Sequence, residues 1–336
     1  MSNSLTKIET TVEEVNVLQD GKNKWKENKE MSLQLAESYL RLSRRKENEL
    51  VKDYFINKYI YVKDCSSYLE FKEVLSSDEK KLKLVGARFC RVRLCPMCTW
   101  RRTKKIFAQV SKIIQEINKE KEREYIFLTL TCRNVSGEDL REQIKDLLKS
   151  FNNMFRNNAK VKKMCLGYFR GLEVTRNDNG TYHPHIHCII CVNKSYFKSR
   201  DYIKQKTWVD IWQHYLKVDY KPVVHVKKFK DSHNYKMVAE LTKYTVKASD
   251  IFLENEEETD NNVLIIHSAL HRVRLVGMGG LFKEYHKKLN LEDAEGENAD
   301  LVSIDGQTDD NILSDIVLRY GWNVGYRNYF LVKNEE

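Results

Sequence analysis

The fold is decided by residues 181–192, which read TYHPHIHCIICV. Successive side chains of a β-strand point to opposite faces, so a strand here places His183, His185 and His187 together on one face. The other face is apolar, with Ile186 and Cys188 among its members. Neutral imidazole is a common metal ligand, and rings two positions apart have backbone roots about 7 Å from each other. The stretch predicts a strand that holds a metal ion; the alternative is a row of exposed strand histidines.

Size and charge favour a soluble protein with a polyanionic partner. The chain has 336 residues, enough for two domains, and a formal net charge of +10 at pH 7. This positive charge favours nucleic acid or an anionic membrane surface, without choosing between them. No apolar run approaches the roughly 20 residues that span a bilayer, and the N-terminus lacks the apolar segment of a signal peptide. We therefore expect a cytoplasmic protein with no membrane partner.

Charge and periodicity divide the chain into four predicted regions. Residues 1–30 are polar and without periodicity, which is typical of a flexible arm. Residues 31–120 combine helical spacing with four of the eight cysteines, and residues 121–290 alternate between strand and helix patterns. Residues 291–336 hold eleven acidic residues against three basic ones. We expect this last region to be an acidic C-terminal tail, although residues 312–332 regain strand character.

Four cysteines predict a structural zinc site in the second region. Cys95 and Cys98 flank a Pro-Met turn, Cys90 precedes them by an x4 spacing, and Cys65 is the remaining cysteine nearby. A Cys-Pro-x-Cys turn offers two thiolates to one tetrahedral Zn²⁺, and four cysteines complete its coordination without histidine. Cytoplasmic cysteines are expected as reduced thiols or metal ligands before disulfides. The alternative is a set of buried free thiols.

A basic cluster follows the cysteines directly. Arg101, Arg102, Lys104 and Lys105 open a long amphipathic helix whose apolar side begins with Phe107. Because basic side chains neutralise phosphates, we predict that these four residues contact DNA.

The spacing within residues 121–290 predicts an α+β fold. Strands are expected at residues 125–132, 166–175, 181–192 and 223–229, and helices at residues 138–157 and 201–217. The order β-α-β-β-α-β is the ferredoxin-like pattern, an antiparallel sheet with helices on one face. The open face would be free to hold a site. The helical and zinc-knuckle region forms an N-terminal extension, and residues 250–262 are expected as an acidic loop.

The turn before residue 181 predicts how the two central strands pair. In a three-residue loop that ends with a left-handed Gly180, Asn177 pairs with Thr181. Glu173 then stands opposite His185 on the same face, where it becomes the natural third ligand. A two-residue turn would shift the register by one position and send this carboxylate to the apolar face, which its charge would resist.

A third helix, predicted at residues 234–249, carries candidate catalytic side chains. Glu240, Tyr244 and Lys247 share one face at i, i+4 and i+7, a pattern that usually marks a solvated surface. If this helix crosses the open sheet face, the phenol of Tyr244, with an ordinary pKa of about 10, reaches a phosphate that the metal has activated. Lys247 would steady the phenolate or the phosphate, and Glu240 would accept a proton.

These motifs resemble those of the HUH endonucleases. The match is to rolling-circle plasmid replication initiators of the Gram-positive type, which have one tyrosine and one glutamate. The resemblance is carried by FLTLT at 127–131, HPHIH at 183–187, ELTKYTVK at 240–247, FCRVRLCPMCTWRR at 89–102 and HRVRLVGMGGLFK at 271–283. Ordered motifs with the right intervening elements are far more specific than any one of them.

The resemblance implies a catalytic divalent ion, Mn²⁺ or Mg²⁺, on His185 and His187. Glu173 is the third ligand that the hairpin register adds, and His183 is a further candidate. Because Mg²⁺ prefers oxygen ligands, a histidine-rich site suits Mn²⁺ or Zn²⁺ somewhat better.

The resemblance also implies a nickase and strand transferase. Tyr244 would attack the double-strand origin where it is single-stranded, keep the 5′ phosphate and release a 3′-OH primer. Glu240 would direct water in the terminating cleavage. A host helicase and a DNA polymerase are the implied partners.

Two other interpretations stay open. A non-enzymatic zinc DNA-binding protein explains the charge and the cysteines, yet it leaves the histidine strand and Tyr244 without a role. A relaxase or transposase of the HUH class has the same chemistry and acts on a different DNA site.

Overall fold

A computed structural model describes residues 17–18, 23–45, 49–76, 79–229, 238–239, 246–304, 311–312 and 316–332. The chain divides into two compact units. The first comprises Met1–Arg101 and Asp300–Glu336, and the second comprises Arg102–Ala299.

Helices and strands alternate along the described residues. The α-helices are α1 (Lys24–Ser43), α2 (Glu49–Asp64), α3 (Pro96–Glu120), α4 (Leu140–Asn157), α5 (Ala159–Met164), α6 (Gln205–Leu216), α7 (Ala248–Ile251), α8 (Glu256–Leu270) and α9 (Leu281–Lys288). The strands are β1 (Tyr68–Ser76), β2 (Glu79–Ala87), β3 (Arg123–Thr131), β4 (Gly167–Arg176), β5 (Tyr182–Asn193), β6 (Val224–Lys228), β7 (Val276–Gly280), β8 (Asn311–Ile312), β9 (Leu318–Asn323) and β10 (Asn328–Leu331). No helix among the described residues combines the length and the apolar composition needed to cross a membrane.

The first unit contains a sheet that sequence periodicity did not predict as a whole. Its strand order is β10-β9-β1-β2, with β8 also paired to β1, and every pairing is antiparallel. The described strands after residue 310 thus join a sheet with strands that precede residue 90. Helix α1 begins at Lys24, earlier than the helical spacing that starts near Met31 and within the segment expected to be a flexible arm.

The second unit contains the predicted ferredoxin-like sheet. Its strand order is β6-β3-β5-β4-β7, and every neighbouring pair is antiparallel. If the four predicted strands are numbered along the chain, their order across the sheet is 4-1-3-2, the ferredoxin-like order that a split βαβ arrangement produces. The α+β prediction is therefore confirmed. Strand β7 adds a fifth strand beside β4.

The two faces of this sheet are covered differently. Helix α4 packs on the face of β4 that carries Tyr168, through a ring contact with Phe151, and α6 packs beside α4. The opposite face, which carries the histidines, was expected to be open. Instead, apolar side chains of α3 such as Val110 cover the part of it that holds Phe127 and Ile189. Helix α3 therefore covers the apolar part of this face and not its histidine end, because α3 is amphipathic and packs on an apolar surface.

Residues 250–262, expected as an acidic loop, contribute instead to two helices. The side chain of Asn255 caps α8 by accepting hydrogen bonds from the backbone N–H groups of Glu257 (2.7 Å) and Glu258 (3.3 Å). Acidic residues in a first turn are favoured by the helix dipole. The acidic residues at 256–258 form the first turn of α8. The prediction of a loop was therefore wrong.

Candidate active site

Strands β4 and β5 bring Glu173 and the histidines together in the predicted register. Glu173 lies directly opposite His185, and Asn177 donates its backbone N–H to the carbonyl of Thr181 at 2.8 Å. Gly180 has a φ of +80°, the left-handed conformation that this turn requires. The predicted hairpin register is confirmed.

Three candidate ligand atoms converge on one point at the histidine end of this face. Glu173 Oε2 lies 3.0 Å from His187 Nε2 and 3.3 Å from His185 Nε2, and the three candidate ligand atoms are all within 4.8 Å of one another. Ligand atoms about 2.1 Å from a common ion are about 3.0 to 3.4 Å apart, so these spacings suit a divalent ion. The set of two imidazoles and one carboxylate is typical of a transition-metal centre.

Each histidine has its other ring nitrogen engaged. His185 Nδ1 lies 3.1 Å from the carbonyl oxygen of His183, and His187 Nδ1 lies 3.0 Å from Thr129 Oγ1. A carbonyl only accepts, so His185 donates from Nδ1, and Nε2 is the nitrogen that could bind a metal ion in place of its contact with Glu173. Outer hydrogen bonds of this kind orient metal ligands and fix their tautomers. Both rings therefore present Nε2 to the point where the ligand atoms converge.

The electrostatics of the centre favour an ionised carboxylate. Burial by itself raises the pKa of Glu173, but hydrogen bonds from His185 and His187 outweigh burial, and the net pKa lies well below its ordinary value. The second oxygen of the carboxylate, Oε1, lies 3.1 Å from Lys247 Nζ. Glu173 is thus ready to bind a cation at neutral pH.

The predicted site residues have different outcomes. His183 does not join the ligand group: its Nδ1 lies 2.8 Å from Asn134 Oδ1. Lys247 contacts the carboxylate of Glu173, a contact that helical spacing did not predict. Glu240 and Tyr244 lie outside the described residues, as does most of the helix predicted around them.

The chain that follows the tyrosine motif is anchored beside β5. The amide of Asn262 on α8 donates to the carbonyl oxygens of Asp250 (2.7 Å) and Ile251 (2.9 Å). Tyr182 on β5 in turn donates its hydroxyl to Asn262 Oδ1 at 2.6 Å. This link connects α7 to the histidine strand. Sequence analysis missed it because its partners are far apart in the chain.

Removing the hydroxyl of Thr129 is expected to weaken metal binding. Thr129→Val keeps the side-chain shape but leaves His187 Nδ1 without its partner, and losses of this kind typically cost about 10- to 100-fold in affinity. Titration of the full chain with Mn²⁺, followed by electron paramagnetic resonance, measures the change. Thr131→Val is the matched control, because Thr131 lies on the same strand and donates its hydroxyl to the carbonyl of Val223 rather than to an imidazole. Equal affinities in the two variants would contradict the role of Thr129.

The four predicted cysteines form one cluster in the first unit. Sulfur atoms lie 3.5 Å apart between Cys65 and Cys98, and 3.6 Å apart for Cys90 with Cys98 and for Cys95 with Cys65. Four sulfurs around a zinc ion at about 2.3 Å lie about 3.8 Å apart at the corners of a tetrahedron. None of the described cysteines forms a disulfide, and this cluster has the size of a four-cysteine metal site.

The surroundings of the cluster favour thiolates once a cation is present. Burial raises the pKa of Cys65 and Cys90, so a nearby positive charge is needed to ionise them. Backbone N–H groups point at two of the sulfurs, from Cys90 to Cys65 (3.4 Å) and from Arg91 to Cys98 (3.2 Å). The buried ammonium of Lys29 also lies close, donating to the Cys65 carbonyl at 2.7 Å. A zinc ion fits these residues.

Comparison with known proteins identifies the family. A family model described as a replication protein matches residues 81–330, which include Glu173, both candidate histidine ligands and Tyr244. The chain belongs to the replication protein family. This membership confirms the resemblance to plasmid replication initiators that the ordered motifs carry.

Several curated members of the family are similar over most of this chain. A Protein rep of Bacillus amyloliquefaciens is 38% identical over 330 residues, covering 92% of this chain and 94% of its own length. A Protein rep of Streptococcus pneumoniae is 37% identical over 317 residues, covering 93% of this chain and 92% of its own length. A Replication protein of Staphylococcus aureus is 35% identical over 232 residues, with coverages of 66% and 97%. No solved structure matches the chain.

Two of the four basic residues predicted to contact DNA are engaged inside this replication protein. Arg101 is 5% exposed and donates to the carbonyl oxygens of Leu301 (2.8 Å) and Val302 (2.7 Å). Lys105 is 1% exposed and pairs with Glu292 at 2.5 Å. The prediction of a direct DNA contact is corrected for both, because a buried, bonded side chain cannot reach a phosphate. Arg102 is half-buried and Lys104 is exposed.

Proposed function

We propose that the chain initiates rolling-circle replication of a plasmid by cutting one strand of its origin, with Tyr244 as the nucleophile and a divalent ion as cofactor. The observation that carries the proposal is the convergence of Glu173, His185 and His187 on one point at the histidine end of the sheet. Family membership supplies the replication role. Zinc on the four cysteines would stabilise the fold, whereas Mn²⁺ or Mg²⁺ at Glu173 would take part in the nicking reaction.

The contact between Lys247 and Glu173 supports Tyr244 as the nucleophile. Tyr244 precedes Lys247 by three residues, and a chain spans at most about 3.6 Å per residue, so their Cα atoms are within about 11 Å. The ammonium of Lys247 lies 3.1 Å from the carboxylate that would bind the ion. Lys247 belongs to the same motif as Tyr244, so its contact with a candidate metal ligand supports the proposal.

The proposed chemistry transfers a phosphodiester from DNA to protein. When bound, the divalent ion polarises a phosphate oxygen and offsets the charge that develops on it. The phenol oxygen of Tyr244 attacks phosphorus, and the bond from phosphorus to the 3′ oxygen breaks. The phenol loses one proton and the leaving 3′ oxygen gains one, so the protons balance. The resulting 3′-OH primes synthesis. Lys247 contributes positive charge to the phenolate or the phosphate, and Glu173, His185 and His187 hold the ion.

A water-directed second cleavage would end the round. Glu240 is proposed to accept a proton from water, so that hydrolysis terminates the cycle without a second covalent adduct. Glu240→Ala is expected to nick at a near-normal rate and to terminate about 10²- to 10⁴-fold more slowly, the usual contribution of a general base. Separate assays of initial nicking and of release from a tandem-origin plasmid measure the two steps. Equal loss of both steps would instead indicate a structural role.

The nickase proposal is tested on a supercoiled plasmid that carries the cognate origin. The full chain should relax this plasmid with Mn²⁺ or Mg²⁺, and EDTA should abolish the reaction. A control plasmid without the origin should stay supercoiled. Binding without relaxation would favour a non-enzymatic zinc DNA-binding protein, and cleavage only at a transfer origin or an element end would favour a relaxase or a transposase.

The remaining proposals concern partners and organisation. Double-strand origin DNA, single-stranded at the nick, is the substrate, and Arg102 and Lys104 stay candidates for contact with its phosphates. In the cytoplasm, a host helicase would unwind the duplex and a DNA polymerase would extend the 3′-OH. We also propose that residues 121–290 act as the nuclease core and that residues 31–120 serve as its zinc-bearing extension.

A further inference from the structure

A cavity of about 390 Å³ lies beside β7, in the second unit. Its lining includes Tyr168 and Arg170 of β4, Met278 of β7, and Lys283 and Lys287 of α9. Much of this lining comes from the HRVRLVGMGGLFK segment, to which the proposed nuclease assigns no role. The volume is within the range of small-molecule sites.

Arg170 is a buried cation that forms no ion pair with the described residues. It is 7% exposed, and its Nη1 donates to the carbonyl oxygens of Leu275 (3.3 Å) and Arg274 (3.5 Å). Among the described residues, no carboxylate lies within ion-pair distance of its guanidinium; Asp293 pairs with Arg274 at 3.0 Å. Burying a charge without a partner is costly, so an anion in the cavity would compensate for it.

The carboxylate that favours the charged form of Arg170 is also hydrogen-bonded to the backbone. Glu295 is close enough to favour the charged form of Arg170, yet its two carboxylate oxygens accept the N–H groups of Leu275 and Val276, each at 3.0 Å. Its hydrogen-bonding capacity is thus directed at the loop before β7. Arg170 keeps donors for a ligand.

The absence of a side chain at Gly277 leaves space for the guanidinium of Arg170. Gly277 on β7 pairs with Arg170 on β4, and a Cβ at Gly277 would lie 3.0 Å from Arg170 Nε. A side chain at this position would press on the guanidinium, so glycine lets it lie over β7, where the cavity opens.

The rest of the lining suits a nucleotide better than a bare anion. Lys283 and Lys287 add positive charge from α9, and Asp293, the acidic residue of the lining, is already paired with Arg274. Tyr168 offers an aromatic ring backed by Phe155, at a centroid distance of 4.6 Å. Aromatic rings stack on bases, and basic side chains bind phosphates.

This cavity is separate from the candidate metal centre. Arg170 and Glu173 are three positions apart on β4, so their side chains point to opposite faces of the sheet. A ligand held by Arg170 therefore cannot be the phosphate that Tyr244 attacks.

We propose that the cavity binds one phosphate-bearing nucleotide unit, with the phosphate on Arg170 and the base near Tyr168. If the proposed nickase function is correct, the source is a single DNA strand held away from the cleavage point; a free nucleotide offers the same chemistry. Lys283 and Lys287 form the rim of the cavity, and their positive charge attracts the phosphate toward Arg170.

Binding of a labelled octathymidylate to the full chain, followed by fluorescence anisotropy without added Mn²⁺ or Mg²⁺, tests the proposal. Arg170→Gln and the double variant Lys283→Glu with Lys287→Glu are expected to weaken binding about tenfold or more, as loss of a charge-assisted hydrogen bond implies. Lys160→Glu with Lys162→Glu is the matched control, because both lysines are exposed and outside the cavity. Equal weakening by rim and control variants would overturn the proposal.

Two further measurements identify the ligand and its place. Competition by thymidine 5′-monophosphate, at concentrations where inorganic phosphate does not compete, would support a free nucleotide as the source; competition only by longer oligonucleotides would support a strand. An oligonucleotide containing 5-iododeoxyuridine should crosslink to the peptide that carries Tyr168 or Met278. Crosslinks confined to other peptides would overturn the proposal, even if Arg170→Gln fails to fold.

The cavity and the nickase can fail independently. Metal-dependent relaxation of the origin plasmid, with oligonucleotide binding unchanged in the rim variants, would remove the cavity proposal alone. Loss of oligonucleotide binding in the rim variants, with no metal-dependent relaxation by wild type, would remove the nickase alone.

Discussion

Tyr244→Phe is expected to lower the rate of origin nicking by about four orders of magnitude or more. The substitution removes the phenolic oxygen, the proposed nucleophile, and loss of a catalytic nucleophile typically has effects of this size. The metal ligands remain, so Mn²⁺ affinity should be unchanged. Relaxation of the supercoiled origin plasmid and Mn²⁺ titration of the same protein give the two readouts.

Tyr202→Phe is the matched control for this loss. Tyr202 is an exposed tyrosine in the same unit, and its hydroxyl is not part of the candidate metal centre. It should nick at the wild-type rate. If Tyr244→Phe relaxes the plasmid as fast as wild type, another residue is the nucleophile.

Loss of zinc is expected to unfold the first unit. Structural zinc contributes an apparent free energy of about 10 to 16 kcal/mol in small zinc-binding peptides, comparable with the about 5 to 15 kcal/mol that stabilises a typical domain. Cys95 is fully buried within the cluster, so Cys95→Ser should release the metal and expose the unit to proteolysis. Elemental analysis of native protein should find one zinc per chain.

Cys165→Ser controls for the loss of a thiol. Cys165 is a half-buried free cysteine outside the cluster, and its replacement should leave zinc content and protease resistance unchanged. Native protein without stoichiometric zinc, or equal stability of the two serine variants, would show that the cluster is a set of free thiols.

Local sequence patterns predicted the sheet of the second unit and its candidate metal ligands. Alternation within β5 separated the histidines from the apolar face, and the turn at Gly180 specified that Glu173 faces His185. Both features depend on residues close together in the chain, where periodicity and turn chemistry are informative. The third candidate ligand, Glu173, could therefore be named from sequence.

Contacts between distant segments could not be predicted in the same way. Strand β1 pairs with β9, which follows it by more than two hundred residues, and no local pattern specifies that partner. Arg101 and Lys105 were predicted to contact DNA. Their partners, Leu301 and Glu292, lie far along the chain, so only the folded structure shows that these two side chains are buried.

The central claim is that a phenol attacks a phosphate beside a cation held by two histidines and one glutamate. The most direct test is to trap the covalent complex between the full chain and a single-stranded origin oligonucleotide with Mn²⁺, then identify the modified peptide by mass spectrometry. The expected result is a 5′ phosphate ester on Tyr244, absent when Glu173 is replaced by alanine. A 3′-phosphate linkage, or attachment to any other residue, would contradict the claim.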